Sequence, residues 1–266
     1  MMNTSLLKNG IKANWKMLVI FGAVITMYVS IMVYMYNPDM NSIMEQFAKT
    51  MPQLMAFVGM NAGATDLTGF LASYLYGFIL LIFPMIFIII TANSLLVRHV
   101  DRGSMSFLLA SPNKRTRIAF TQAVTLIIGI FILVAYATFL AIGVSHALFP
   151  NELDIKGYLI LNLGLFCLHF FIGGLCFFSS CVFNDVKSAT LFGGGITILC
   201  YLFQSIANVG EKLENLKYAT FFTLFDSNLL INGDKDGYIM IACLFTSGLI
   251  LFIIGITTFN KRDLHV

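Results

Sequence analysis

Residues 69–92 read GFLASYLYGFILLIFPMIFIIITA, with no charged side chain, and residues 98–115 read RHVDRGSMSFLLASPNKR. A transmembrane helix needs about 20 mostly apolar residues, so the first stretch is a span. The second is a basic segment that leads straight into another apolar run from residue 118. Span, basic turn and span together describe a hairpin of membrane helices, and the rest of the chain repeats the pattern.

Of the 266 residues, 58% are hydrophobic, only 11% are charged, and 26 are Phe. A soluble domain carries about 25% charged residues, so this chain has too few to cover a water-exposed surface. Six stretches qualify as spans: 16–36, 69–92, 118–145, 158–183, 189–209 and 237–259. The expected fold is all-α, a single polytopic membrane domain over 1–266 with six transmembrane helices. The first apolar run is of span length and lacks a small-residue cleavage site after a short core, so it reads as an uncleaved helix rather than a signal peptide.

Basic residues near span ends are retained on the cytoplasmic side. With both termini inside, Lys8, Lys12, Lys16, Arg98, Arg102, Lys114, Arg115, Arg117, Lys187, Lys261 and Arg262 become cytoplasmic, against five external lysines. The acids do the reverse: only Asp101, Asp185 and Asp263 fall inside. The net positive charge is therefore a topology signal and gives no support to nucleic-acid binding.

Leu6 to Lys16 interleaves apolar and basic positions and ends beside Trp15, the only Trp. It reads as a short interfacial helix, or else as a disordered tail carrying topogenic charge. Residues 37–68 hold Pro38, Pro52 and apolar runs too short to span, so they should lie on the outer surface or fold over the spans. Residues 210–236 end in an aromatic run, Tyr218 to Phe225, that stops at Asp226. That run suggests a half-inserted, re-entrant outer lid, or a segment lying on the surface.

In residues 93–117, Asp101 is placed to cap a short helix. Met105, Leu108 and Leu109 share a face by i, i+3, i+4 spacing, and Pro112 stops the helix. An apolar tooth rimmed by Arg98, Arg102, Lys114 and Arg115 suits a groove on a cytoplasmic protein. It also suits an anionic lipid surface. The short turn Asn184 to Ser188 reads as a second, smaller contact or as plain turn chemistry.

The five cysteines fall inside spans without a Cys-x-x-Cys pair, and read as small apolar residues. Ionisable residues inside a membrane usually mark ion paths or buried catalysis, and His169 is the lone candidate in these spans. One imidazole cannot build a zinc site, which needs three protein ligands, so a helix–helix hydrogen bond is its expected role. The glycine runs Gly173-Gly174 and Gly193-Gly194-Gly195 read as close-packing positions, with a hinge as the alternative. No Gly-Lys followed by Ser or Thr occurs, so the chain lacks a Walker A phosphate loop. Energy is expected from outside the bilayer.

Six spans, an amphipathic start, a basic segment after span two and a re-entrant-looking loop before span six resemble the permease subunits of ABC-2 type exporters. The resemblance covers nearly the whole chain. Its sharpest parts are Asp101-Arg102-Gly103-Ser104, Leu108-Leu109-Ala110-Ser111-Pro112 with Arg115, and the ending Phe259-Asn260-Lys261-Arg262-Asp263-Leu264. One departure is that Asp101 is a single acid among basic residues, where many relatives carry several.

The resemblance implies a type V exporter-like permease in the cell (plasma) membrane of a bacterium, surrounded by membrane lipid. Its partners would be a second copy or a sister permease and two separately encoded ATPase subunits, which hydrolyse the ATP. No cofactor would be bound directly. The coupling residues would be Arg98, Asp101, Arg102, Gly103, Ser104, Met105, Leu108, Leu109, Pro112 and Arg115, with Met105, Leu108 and Leu109 as the mechanical contacts. Closure of the ATPases would push the 101–112 helix and tilt spans two and five. The cargo would be hydrophobic or amphipathic, such as an antimicrobial peptide, an antibiotic or a lipid-linked molecule. The competing reading is a polytopic membrane enzyme, or a sensor-scaffold, whose site includes His169.

Overall fold

The computed structural model describes residues 3–36, 46–47, 49–60, 66–105 and 114–262. Six helices are long and apolar enough to cross a membrane, and no strand occurs among the described residues. Helix α1 spans Thr4–Met35, capped by Asn3, whose Oδ1 accepts from the Leu6 N–H at 3.1 Å. The basic start and the first span are thus one continuous helix. At about 1.5 Å per residue it is about 48 Å long, against roughly 30 Å of hydrocarbon. Its surplus turns carry Lys8, Lys12 and Lys16.

The short helix α2 (Pro52–Phe57) precedes α3, the second span (Leu67–Leu95). Asp66 caps α3 through the Gly69 N–H, a π-turn interrupts it at Leu75–Ile79, and Pro84 lies inside it. A one-turn helix, α4 (Val97–Asp101), follows at once. The remaining spans are α5 (Arg115–Leu148), α6 (Ile155–Val182), α7 (Val186–Ala207, with a π-turn at Thr190–Gly194) and α9 (Lys235–Lys261). Each runs to within about three residues of the range expected from hydropathy.

The segment before α9 consists of two 3₁₀ stretches, Glu211–Ala219 and Phe221–Leu224, and a short helix α8 (Ser227–Ile231) capped by Asp226. Its aromatic residues wedge against the spans: Phe221 on Phe171, Phe222 on Tyr201 and Phe225 on Tyr76, with ring centroids 4.8, 5.6 and 6.3 Å apart. On the same side the chain around α2 seats on the first π-turn. A Cβ at Gly77 would lie 2.6 Å from the Val58 carbonyl oxygen, so only glycine fits there.

Helix α6 is the hub, packed against α9 most extensively and also against α3, α5 and the start of α7. Within a bilayer, helices gain nothing by hiding apolar surface from lipid, so close van der Waals contact must hold them together. The α9 seam supplies it through Gly237, Ile241, Leu244, Gly248, Phe252, Gly255 and Phe259, all buried at steps of three or four residues. The backbones meet at Gly174 and Gly248, where a Cβ on Gly174 would come 2.7 Å from the Gly248 carbonyl oxygen. In the glycine run of α7, Gly193 and Gly194 are packed tightly against α6 and Ile89, whereas Gly195 faces open space.

Candidate docking face

Six crossings bring both ends of the described chain to one side, and that side collects the basic residues. On it, α3 ends in Asn93 and Ser94, which tie four helices together. The Asn93 amide donates to Thr190 Oγ1 of α7 at 2.9 Å, and its Oδ1 accepts from Ser180 of α6 at 3.0 Å. Ser94 donates to Asn14 Oδ1 of α1 at 2.8 Å. Hydrogen bonds of this kind contribute about 0.6 kcal/mol each inside membrane proteins, so the node acts through its connectivity more than through any single bond.

Just outside this node a cleft of about 460 Å³ opens between α3–α4 and the start of α7. Its walls are Ile89, Ile90, Asn93, Ser94, Arg98, Asp101 and Arg102 on one side, and Val186 and Thr190 on the other. Arg98, Asp101 and Arg102 are exposed, and none of them forms an ion pair with a described residue. Arg98, Asp101 and Arg102 from one expected contact segment and Val186 from the other therefore line one feature.

Asp101 is the last residue of α4 and so does not open a helix there, and most of the expected 101–112 helix lies outside the described residues. The chain then turns through Gly103, whose φ of +68° is a left-handed conformation that glycine adopts without a Cβ clash. Ser104 folds back to the His99 carbonyl at 3.3 Å, and its hydroxyl lies 3.1 Å from His99 Nδ1. Burial, then the neighbouring Arg98 and Arg102 charges, hold the His99 imidazole below its ordinary pKa, so it is neutral at pH 7.

Met105 is fully buried in the core cluster, which corrects its expected place on an outward face. It fastens the turn to the helices instead. Leu108, Leu109 and Pro112 lie outside the described residues.

Arg115 opens α5, but its guanidinium reaches across to the Arg262 carbonyl at 2.9 Å, and Thr116 donates to Asn260 Oδ1 at 3.0 Å. Arg262 in turn grips the α6–α7 turn. It donates to the Cys181 and Phe183 carbonyls at 2.6 and 2.9 Å and to Asn184 Oδ1. Asp185 completes the turn by capping α7 at the Ser188 N–H, 2.7 Å away, and this bond is what holds its carboxyl below the usual range. In the sequence Arg262 reads only as a topogenic charge and part of the closing motif, and neither Asn93 nor Thr190 stands out individually. A buried Asn beside a span end was the one available signal for the node.

A family model described as "ABC-2 family transporter protein" matches residues 7–264. The chain belongs to the ABC-2 transporter family. No significant match was found among curated proteins or among solved structures. An ABC-2 transporter chain of this kind is an integral membrane transport component that works with an ABC ATPase subunit.

His169, the residue on which an enzymatic reading would rest, is fully buried within this ABC-2 chain. Its Nδ1 lies 2.9 Å from the Leu165 carbonyl oxygen and its Nε2 3.3 Å from that of Leu81 on α3. Both nitrogens thus face backbone of α6 and α3, and no group of three metal-ligating side chains exists among the described residues.

Proposed function

We propose that this chain is the permease of an ATP-driven exporter, with its basic face and both termini in the cytoplasm. The observation that carries the reading is the family match across nearly the whole chain, joined to an exposed cleft whose Arg98, Asp101 and Arg102 form no ion pair with a described residue. Two chains, or this chain and a sister permease, form the membrane unit, and two ATPase subunits bind below. The apolar part of the contact is Leu108 and Leu109, and the charged part is Arg98, Asp101 and Arg102.

Force enters at α4 and the Gly103 turn. Met105 and the Asn93 node pass it to α3, α6 and α7. The π-turns sit in α3 and α7, the two spans expected to tilt, and such turns frequently occur at functional positions in helices. The cargo is hydrophobic or amphipathic, since the spans offer hardly any ionisable group to bind charge.

The test is co-expression with the cognate ATPase, solubilisation, and comparison of co-elution for wild type and for Leu108→Asp/Leu109→Asp. Loss of the ATPase at least tenfold, with normal membrane insertion, is expected. Undiminished co-elution together with undiminished export would refute the coupling role.

A further inference from the structure

The helices α1 and α5 pack closely at their basic-side ends and meet again at Tyr136, whose ring would lie 3.7 Å from a Cβ on Gly22. At the bottom, the Asn3 N–H donates to Thr121 Oγ1 at 3.1 Å, and a Cβ on Gly10 would lie 3.0 Å from Thr125 Cγ2. From Trp15 upward an open groove of about 710 Å³ lies between them, with Gly22 and Ala23 as small floor residues and Val19, Met27 and Ile132 among its apolar walls. Across it, the hydroxyls of Thr26 and Tyr136 hydrogen-bond at 2.6 Å. Trp15 to Met27 covers about 18 Å of helix, close to the roughly 15 Å depth of one leaflet's hydrocarbon.

The mouth of the groove is basic. At 3.6 residues per turn, Lys8 and Lys12 stand in line with Trp15, Val19, Gly22 and Thr26 on one stripe of α1, and Lys16 adjoins Trp15. All three lysines are exposed, and none is in an ion pair with a described residue. Trp15 is 54% exposed and stands where an indole sits at headgroup level.

We propose that this groove is a binding site for one anionic phospholipid of the leaflet on the basic side. An acyl chain lies along Gly22 and Ala23, and the phosphate headgroup rests on Lys8, Lys12 and Lys16. Basic pockets between membrane helices recognise headgroups in this way. A second copy of the chain is the poorer occupant. A two-fold interface apposes the same patch on both subunits, and would set three lysines against three more at the same depth.

Trp15 is the only Trp, so its fluorescence reports occupancy directly. The purified chain is reconstituted in phosphatidylcholine vesicles with rising phosphatidylglycerol, and one of the two lipids carries bromine on its acyl chains as the quencher. Brominated phosphatidylglycerol is expected to half-quench Trp15 at a roughly fivefold lower mole fraction than brominated phosphatidylcholine. That advantage should vanish in Lys8→Gln/Lys12→Gln/Lys16→Gln and shrink in Gly22→Leu/Ala23→Leu.

Equal quenching by the two lipids in the wild-type protein means bulk solvation only and overturns the proposal. Shielding of Trp15 from both lipids overturns it in favour of a protein-covered groove. Because the wild-type comparison decides by itself, failure of a variant to insert does not leave the question open. The outcome is also independent of the exporter reading, since no ATPase takes part.

Discussion

Arg262 and His99 show how single side chains organise the basic face. Arg262 satisfies carbonyls that the end of α6 would otherwise leave without partners, and so fixes the 181–185 turn against α5 and α9. In sequence it is one more positive charge near a span end, and only the packing reveals its partners. His99 makes a pH prediction. Its unfolded imidazole takes up a proton near pH 6.5, while the folded one does so only at lower pH. Its contribution to stability is therefore complete above about pH 6.5 and is lost as pH falls through that value toward the folded pKa. Thermal unfolding in detergent should fall more steeply between pH 7.5 and 5 for wild type than for His99→Gln. Parallel curves would contradict the assignment.

At the scale of elements, the spans were legible because hydropathy follows from what lipid tolerates, and each expected range lies near its helix. The caps were less so. Asp66, Asp154 and Asp226, which read as external acids by topology, are also the residues that start α3, α6 and α8. The π-turns left no mark in the sequence, since a single extra residue in a helix alters neither composition nor charge. The Gly174-to-Gly248 contact was half legible: Gly173-Gly174 stood out as a packing site, but nothing in the sequence named its partner on α9. Gly248→Ala would place a Cβ 2.9 Å from the Phe171 Cα, a backbone atom that cannot rotate away. The cost should be about 1–3 kcal/mol, the usual range for overpacking, seen as a lower unfolding temperature. Gly143→Ala, where nothing lies within 4 Å, should leave it unchanged. Equal effects of the two substitutions would mean that the α6–α9 seam is not the tight contact described.

For the whole molecule, the sequence carried the six membrane-crossing helices and the charge asymmetry, and the family match agrees with the resemblance read from its motifs. The docking face was legible only in pieces. Arg98 to Met105 and Asn184 to Ser188 are far apart in the chain, and the cleft that unites them depends on α3 and α7 meeting through Asn93 and Thr190. Met105 misled because a helical spacing says which residues share a face and not which way the face turns.

The central claim is that this face receives an ATPase. The most direct measurement is the mass, in solution, of the assembly purified after co-expression of the chain with its cognate ATPase. A species containing two permease chains and two ATPase subunits is the expected result. A permease that elutes without any ATPase, while the ATPase is present and folded in the same preparation, would contradict the account.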